Sequence, residues 1–364
     1  MPSVTDPEKT RVIVGMSGGV DSSAAAALLL EQGYDVVGIT LKLWPQDCIS
    51  RAEDKCCGPQ AVADARAVCH RLGVPFYLVD EAADFQNAVI HYFAAEYKAG
   101  RTPNPCVMCN QHLKFGTLIH RARQLGGEYI ATGHYARLER RQDGRVLLKR
   151  GRDPRKDQSY FLFSLRQDQL ARSLFPLGDL RKDDTREVAR EARLKTAGKE
   201  ESMEICFVPD KDYGAFLRKA KLVEKHRGEI VDLHGRVLGH HDGIEFYTIG
   251  QRKGLGISGA KPLYVIELDP AGNRVIVGDE SALDRAEFSV ERCNWIPFET
   301  PPESMELTAK IRYNHPGTPA RVTLLGNGSA RVMLHKPQRA VTPGQACVFY
   351  QDELVVGGGW IGRG

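Results

Sequence analysis

Residues 104–110 read NPCVMCN and place two cysteines, Cys106 and Cys109, three positions apart. This Cys-x-x-Cys spacing occurs in zinc sites, iron–sulfur sites and dithiol redox sites, so the spacing alone does not distinguish metal binding from sulfur chemistry. A structural zinc ion would need further ligands, because such sites are almost always four-coordinate. The pair therefore predicts a thiol-based site whose chemistry the rest of the chain must decide.

A second reactive stretch is GMSGGVDSS at residues 15–23, between an apolar segment and a helix-forming one. Gly18 and Gly19 allow a tight turn and a close backbone approach to a ligand, and a helix N-terminus favours an anion. The stretch has neither the lysine of a Walker loop nor the glycine spacing of a dinucleotide loop. We expect a phosphate-binding loop. The alternative is a simple turn with Asp21 or Ser22 as helix cap, and Asp21 could also hold magnesium.

Alternating strands and helices must position both stretches in the first half of the chain. Apolar or β-branched runs predict strands at residues 11–15, 35–43, 75–80 and 128–134, and strong helix formers predict helices at 22–33, 59–73, 82–100 and 112–127. The cysteine pair then lies in a loop before the last of these helices. Strands separated by helices at this spacing predict a parallel, doubly wound α/β sheet. A basic hairpin turning at Asp143-Gly144 follows, and a helix at 183–194 that Asp184 or Thr185 caps.

The chain changes character after about Gly228. Short β segments separated by Gly, Pro, Asn and Asp read GEIVDL, EFYTIG, PLYVIEL, NRVIVG, ARVTLL, ARVMLH and ACVFY. They predict an all-β, barrel-like region. Since 364 residues exceed the size of a single core, we expect an α/β domain followed by one or two β-rich modules.

Charge distribution gives more information than the formal net charge of +4. Residues 137–156 carry nine Lys/Arg against three acids, and residues 307–351 carry six Lys/Arg and no acid. Such stretches suit a surface that faces phosphates, although an ordinary basic surface would look the same. The longest apolar run, residues 24–30, is too short to span a membrane, and the polar start predicts a cytoplasmic protein. Nine cysteines in that setting favour thiols or metal over structural disulfides.

Seven motifs occur in an order that resembles one enzyme family. They are SGGVDS, GITLKLW, TPNPCVMCNQHLKF, ATGHYARL, KDQSYFLF, ESMEICFVPDKDY and GQRKGLGI. Together they resemble the tRNA-specific 2-thiouridylases, within the N-type ATP pyrophosphatases. The resemblance implies that ATP adenylates O2 of a tRNA wobble uridine and that sulfur from a cysteine persulfide then replaces the oxygen. It implies ATP and Mg²⁺, tRNAs for Glu, Gln and Lys, and a sulfur donor such as a cysteine desulfurase.

The resemblance also implies domains and site residues. The domains are an ATP pyrophosphatase domain at 1–208, a small central β-rich domain at 209–282 and a tRNA-contacting C-terminal β-barrel at 283–364. ATP binding is assigned to Gly15, Met16, Ser17, Gly18, Gly19, Val20, Asp21, Ser22, Leu41 and Gly133. Contact with tRNA is assigned to Asn104, Pro105, Cys106, Lys156, Asp157, Gln158, Arg312 and Tyr313. Cys206 is expected to carry the persulfide, with Cys109 as its catalytic partner in a disulfide.

Cys106 departs from the family pattern, in which Asp commonly occupies this position and acts as acid or base near the uracil. The replacement makes Cys106, Cys109 and Cys206 an alternative set of three ligands for a [4Fe–4S] cluster with one open iron. The other cysteines, Cys48, Cys56, Cys57, Cys69, Cys293 and Cys347, are expected to serve packing or surface roles. His134 either faces the nucleotide or is structural.

Two other functions remain open on these residues. One is another ATP pyrophosphatase, such as a tRNA lysidine synthetase or an amide-forming synthetase, which would need no cysteine at positions 109 and 206. The other is a non-catalytic RNA-binding protein with a vestigial nucleotide loop, which the intact SGGVDS motif disfavours.

Overall fold

The computed structural model describes residues 10–43, 58–200, 205–208, 212–257 and 261–363, so Cys48, Cys56 and Cys57 lie outside the described residues. Its α-helices are α1 (Val20–Glu31), α2 (Pro59–Leu72), α3 (Ala82–Phe85), α4 (Tyr92–Lys98), α5 (Pro105–Met108), α6 (Leu118–Gln124), α7 (Gln167–Leu170), α8 (Lys182–Glu191) and α9 (Tyr213–Lys219). Two π-helical segments occupy Gln86–His91 and Cys109–Thr117, and short 3₁₀ helices occupy Ser159–Leu162, Lys195–Gly198, Ile244–Phe246 and Glu280–Leu283.

The strands are β1 (Arg11–Gly15), β2 (Asp35–Lys42), β3 (Phe76–Asp80), β4 (Tyr129–Ala131), β5 (Ala136–Arg140), β6 (Val146–Arg150), β7 (Ser173–Leu174), β8 (Gly228–Asp232), β9 (Val237–His241), β10 (Tyr264–Asp269), β11 (Arg274–Gly278), β12 (Asp284–Trp295), β13 (Ser304–Lys310), β14 (Thr318–Gly326), β15 (Ser329–Arg339), β16 (Ala346–Gln351) and β17 (Leu354–Ile361). None of the described helices combines the length and hydrophobicity that a membrane crossing requires.

The chain divides into two compact units that do not follow the order of the sequence. The first comprises Met1–Val89, Cys106–Pro209 and Glu353–Val355, and the second comprises Ile90–Pro105, Asp210–Asp352 and Val356–Gly364. The three predicted domains remain a prediction.

A five-stranded parallel sheet with strand order β3-β2-β1-β4-β7 forms the centre of the first unit. Val12, Ile13 and Val14 of β1 are fully buried, as expected for a strand that is covered on both faces. The predicted parallel α/β sheet is thus confirmed. The order reverses direction at β1, which pairs with β2 on one side and β4 on the other, and ligands bind at such a point beyond the carboxyl ends of the strands.

Helix starts differ from those predicted. Gly19 is the N-cap of α1 and makes no side-chain cap, so the alternative in which Asp21 or Ser22 is the N-cap of this helix is wrong. The N-cap of α8 is Arg181, so neither Asp184 nor Thr185 occupies that position, but Asp184 does cap the helix from inside its first turn, where its Oδ2 accepts the Arg181 N–H at 3.0 Å in a capping box. In both helices the N-cap position therefore precedes the polar residues that were predicted to occupy it.

The second unit contains a four-stranded sheet, β10-β11-β8-β9, and a closed barrel. The barrel has the order β12-β15-β14-β13-β16-β17, and β12 closes it by pairing with β17. The expected all-β, barrel-like region is confirmed. EFYTIG is an exception, because residues 244–246 form a 3₁₀ turn instead of a strand. Ile244 and Tyr247 are nevertheless buried, so the apolar pattern there indicates core packing rather than an extended backbone.

Candidate active site

The loop that follows β1 is held by hydrogen bonds within the first unit. Its Ser17 N–H donates to Ser22 Oγ at 3.1 Å, and the hydroxyls of these two serines lie 3.1 Å apart. Met16 donates its N–H to Ile39 O at 2.7 Å, and Thr40 Oγ1 donates to Met16 O at 2.7 Å. The loop is therefore fixed to β2 while its chain leads into the N-terminus of α1, which favours an anion.

Two glycines allow other segments to approach this loop. Gly18 has φ +69°, and a Cβ there would overlap the carbonyl oxygen of Ala61 in α2. A Cβ on Gly133, just after β4, would lie 2.8 Å from the backbone N of Ser22. Leu41, which was also predicted to bind ATP, is half-buried near the end of β2. The structure thus brings Gly133 against the start of α1, beside the loop residues with which it was predicted to bind ATP.

Gly18→Ala should unfold the loop and abolish nucleotide binding. We expect the free energy of unfolding to fall by about 2–4 kcal/mol. The strain of a left-handed backbone at a residue with a Cβ adds to a clash with the backbone of Ala61, which cannot move away. Gly144→Ala is the matched control, since Gly144 has φ +82° but nothing within 4 Å of an added Cβ. Chemical denaturation of both variants measures the difference, and equal losses would show that packing against Ala61 contributes nothing.

Asp21 has two partners that the sequence did not reveal. Lys182 Nζ lies 2.6 Å from Asp21 Oδ1, and the Tyr135 hydroxyl donates to the same oxygen at 2.8 Å. On the other side of the loop, Lys199 Nζ donates to Gly18 O at 3.1 Å and pairs with Asp64 Oδ2 at 2.6 Å. Two lysines that are 161 and 181 positions from their loop partners in sequence thus reach the loop. No local pattern distinguishes them from solvated surface lysines.

The cysteine pair lies on helical backbone, so the predicted loop at this place is wrong. Cys106 is exposed in α5, and Cys109 is half-buried at the start of the π-helical segment. Residues three apart on a helix lie on neighbouring parts of its surface. Gln169 supports the segment from α7, because its buried side-chain amide donates to Gln111 O at 3.0 Å and to Phe115 O at 2.7 Å.

Cys206 is half-buried in a short turn of the first unit. Its neighbour Phe207 packs edge-on against Phe85 of α3, with ring centroids 5.8 Å apart. The same helix α3 contacts the π-helical segment that begins at Cys109. The segments that carry Cys109 and Cys206 therefore pack on one short helix. Among the described residues, which include all three predicted ligands, no group of three His, Cys, Asp or Glu side chains is placed to hold a metal ion.

Comparison with known proteins extends over nearly the whole chain. Residues 10–210 match a family model described as a tRNA methyl transferase HUP domain, residues 215–279 a tRNA methyl transferase PRC-barrel domain, and residues 285–361 an aminomethyltransferase beta-barrel domain. The tRNA-specific 2-thiouridylase MnmA of Geobacter metallireducens is 48% identical over 362 residues, covering 98% of this chain and 98% of that protein. The chain belongs to the tRNA-specific 2-thiouridylase family. A further member, MnmA of Clostridium acetobutylicum, is 47% identical over 352 residues, covering 96% of this chain and 99% of that protein.

The 2-thiouridylase resemblance assigned tRNA contact to residues of quite different exposure. Asp157 is buried, and its Oδ1 accepts the N–H groups of Gly151 and Ser159 at 3.1 and 3.0 Å. Gln158 exchanges hydrogen bonds with the backbone of Tyr135, at 3.1 and 2.9 Å. These two side chains therefore shape their loop, whereas the preceding Lys156 is half-buried and closer to solvent.

Four other residues that were assigned tRNA contact belong to the second unit, namely Asn104, Pro105, Arg312 and Tyr313. Asn104 and Pro105 are buried, and Gln345 Nε2 donates to the carbonyls just before them, at residues 102 and 103, at 3.2 Å each. Arg312 is exposed, and Tyr313 is half-buried with the ammonium of Lys310 5.9 Å from its ring centroid. Arg312 is thus the assigned cation of this 2-thiouridylase that is most open to a polyanion.

His134 has structural partners within the first unit. Its Nδ1 lies 2.7 Å from Thr132 Oγ1, and its ring packs near Phe115 and Phe175, with centroids 5.8 and 6.1 Å away. Burial, with Lys114 nearby, holds the pKa of His134 well below its usual range, so the imidazole stays neutral at neutral pH. These contacts are the ones that the structural interpretation of His134 predicts.

Three cysteines outside the site are buried or partly buried and have raised pKa values, which makes their thiols unreactive. Cys69 and Cys347 are fully buried, and burial raises the pKa of Cys69 to about 11 and that of Cys347 well above its usual range. Burial also raises the pKa of Cys293 to about 12. Because the thiolate is the reactive form, these residues serve packing, as predicted.

Proposed function

We propose that the chain catalyses ATP-dependent 2-thiolation of the wobble uridine of tRNA. The observation that carries this proposal is membership of the 2-thiouridylase family at 47–48% identity over nearly the full length of both chains. The SGGVDS loop at the reversal point of a parallel sheet supports ATP use. The non-catalytic RNA-binding alternative and the other ATP pyrophosphatases lose support, because neither explains this similarity together with Cys109 and Cys206.

Adenylation comes first in the proposed reaction. The uridine O2 forms a bond to the α-phosphorus of ATP, the bond to the bridging oxygen breaks, and pyrophosphate leaves with the electron pair. Residues Gly15–Ser22 and Gly133 bind the nucleotide, with Leu41 beside it, and hold the phosphates against the N-terminus of α1. Adenylation turns a poor leaving group into AMP, which makes C2 of the base electrophilic.

Sulfur transfer is the second step, and two cysteines, Cys206 and Cys109, carry it out. The terminal sulfur of a Cys206 persulfide attacks C2, and AMP leaves. Cys109 then attacks Cys206 Sγ, the sulfur–sulfur bond of the persulfide breaks, and a Cys109–Cys206 disulfide forms while the transferred sulfur stays on the base. A dithiol reductant must then restore both thiols. Packing of both segments on α3 supports this pairing.

Cys106 is proposed to take the place of the acid–base aspartate common in the family. The exposed position beside Asn104 and Pro105 suits contact with the target base. The [4Fe–4S] alternative loses support, because the described cysteines form no three-ligand group and the family similarity favours the persulfide route.

Mg²⁺ would enter with ATP and neutralise phosphate charge. It usually takes one or two carboxylates plus phosphate oxygens, and Asp21 is the carboxylate of the loop that fits this need. We also propose tRNAs for Glu, Gln and Lys as substrates, a cysteine desulfurase as sulfur donor, a cytoplasmic location and the three domains predicted above.

An in vitro thiolation assay tests the function. Purified protein, unmodified tRNA, ATP, Mg²⁺ and a cysteine desulfurase with cysteine should yield 2-thiouridine, detected by mass spectrometry of digested tRNA, with one AMP and one pyrophosphate for each sulfur. Thiolation by iron-free protein supports the persulfide route. Absence of 2-thiouridine with every sulfur source would contradict the proposal.

Charge reversal at Arg312 tests the tRNA surface. Arg312→Glu should weaken tRNA binding and reduce the slope of log Kd against log salt by about 0.9, the value for one lost phosphate contact on a duplex. Lys156→Glu should do the same. Lys219→Glu, at an exposed position of α9, is the control and should leave the slope unchanged. If Arg312→Glu and Lys156→Glu both leave the slope as unchanged as the control does, neither basic stretch belongs to the tRNA interface.

A further inference from the structure

Lys182 is an almost fully buried cation whose role the known motifs leave open. It is the first residue of α8, its side chain is 7% exposed, and its ammonium lies 2.6 Å from Asp21 Oδ1. A lysine is seldom buried to this extent unless it is paired, because removing an ammonium from water is costly. Its position therefore depends on the carboxylate of the phosphate loop.

Several contacts fix the Lys182 ammonium and its acceptor. The Lys182 backbone N–H donates to Asp153 Oδ2 at 3.2 Å, and Asp153 is itself 2% exposed. The ammonium lies 5.6 Å from the ring centroid of Tyr135, a cation–π distance. The hydroxyl of Tyr135 lies 2.8 Å from Asp21 Oδ1 and 2.9 Å from Thr185 Oγ1. Helix α8 and the strand-following residue Tyr135 therefore hold both charges in one geometry.

Stability alone does not explain this ion pair. A buried pair often contributes no more than well-packed apolar residues would, because desolvation offsets the attraction. Its place in the molecule is more informative, since Asp21 lies in the first turn of α1, directly after the loop that faces phosphate. An unpaired carboxylate there would repel a polyphosphate. Lys182 removes that repulsion and adds a positive charge beside the loop.

We propose that Lys182 is a further residue of the ATP site, which balances the charge of Asp21 and offsets the negative charge that develops on the departing pyrophosphate. This inference rests on the proposed function. Lys182 keeps its proton throughout the step, and the electron pair of the broken bond stays on the pyrophosphate oxygen. Lys199, 29% exposed and bonded to a backbone carbonyl, instead holds the shape of the loop.

Steady-state kinetics and nucleotide binding test the role of Lys182. Lys182→Met should lower kcat for pyrophosphate release by about 10²-fold, the usual effect of removing one preorganised charge from an active site. The Kd of α,β-methylene ATP should rise by about tenfold, the loss expected for one hydrogen bond from a charged donor. Lys182→Arg should recover most of the analogue affinity and part of kcat, because it keeps the charge in a different geometry. Affinity for tRNA should not change.

Lys195→Met is the matched control, an exposed lysine four residues after the end of α8. Wild-type ATP kinetics in Lys182→Met would overturn the inference. A merely structural role would lower thermal stability, tRNA affinity and ATP kinetics together, with no rescue by Lys182→Arg, and that result would overturn it too. If the wild-type protein binds the analogue in a Lys182-dependent way but never thiolates tRNA, the proposed function fails while the Lys182 assignment stands.

Discussion

Asp21→Asn should abolish adenylation while leaving tRNA affinity unchanged. The substitution keeps the shape of the side chain but removes the charge that pairs with Lys182 at 2.6 Å and that suits a magnesium ligand. We expect AMP and pyrophosphate formation to fall by about 10²–10³-fold, the range for loss of one electrostatic group at a reacting centre. Rapid-quench measurement of pyrophosphate with saturating ATP and tRNA gives the adenylation rate, and filter binding gives the tRNA affinity.

Two further variants make the Asp21 result specific. Asp183→Asn removes an exposed carboxylate from the first turn of α8 and should behave as wild type. Ser17→Ala should also lose adenylation, because the Ser17 hydroxyl lies 3.1 Å from that of Ser22 inside the loop. Wild-type thiolation by Asp21→Asn or Ser17→Ala would mean that this loop does not bind the reacting nucleotide.

The phosphate loop could be predicted from sequence because its structure is local. An apolar run gives β1, two glycines give the turn, and alanines and leucines give α1, all within residues 11–31. The barrel was predictable for a similar reason, since its short β segments are separated by the turn residues Gly, Pro, Asn and Asp. Local periodicity determines such elements whatever the distant parts of the chain do.

Features that depend on distant residues could not be predicted in this way. The helical backbone that begins at Cys109 is supported by the side-chain amide of Gln169, which donates to Gln111 O. These two residues are 58 positions apart in sequence. The lysine that pairs with Asp21 comes from 161 residues downstream. The helical pattern of residues 183–194 predicted α8 itself but did not indicate that Lys182, at its start, would be buried.

The cysteine variants should separate the persulfide route from a cluster. Cys206→Ser removes the sulfur carrier and Cys109→Ser removes the thiol that releases the sulfur, so each should lower thiolation by about 10⁴-fold or more, as loss of a nucleophile does. Both variants should still release pyrophosphate and form adenylated tRNA, because adenylation precedes sulfur transfer, and Cys206→Ser should release no AMP, because AMP leaves only when the persulfide attacks C2. Cys293→Ala, outside the site and with a pKa that burial raises to about 12, is the control and should retain full activity.

Cys106→Asp gives the sharpest distinction, because it restores the residue common in the family and removes one of three candidate cluster ligands. On the persulfide route this variant should thiolate tRNA without iron when a persulfide donor is supplied, since an acid–base group remains beside the base. On the cluster route the wild-type protein, purified without oxygen, should be brown with about four irons per chain, and Cys106→Asp should lose iron and activity together. An inactive Cys106→Asp with iron-dependent wild-type activity would therefore overturn the persulfide assignment, whereas an active, iron-free variant would leave Cys109 and Cys206 as the pair that transfers sulfur.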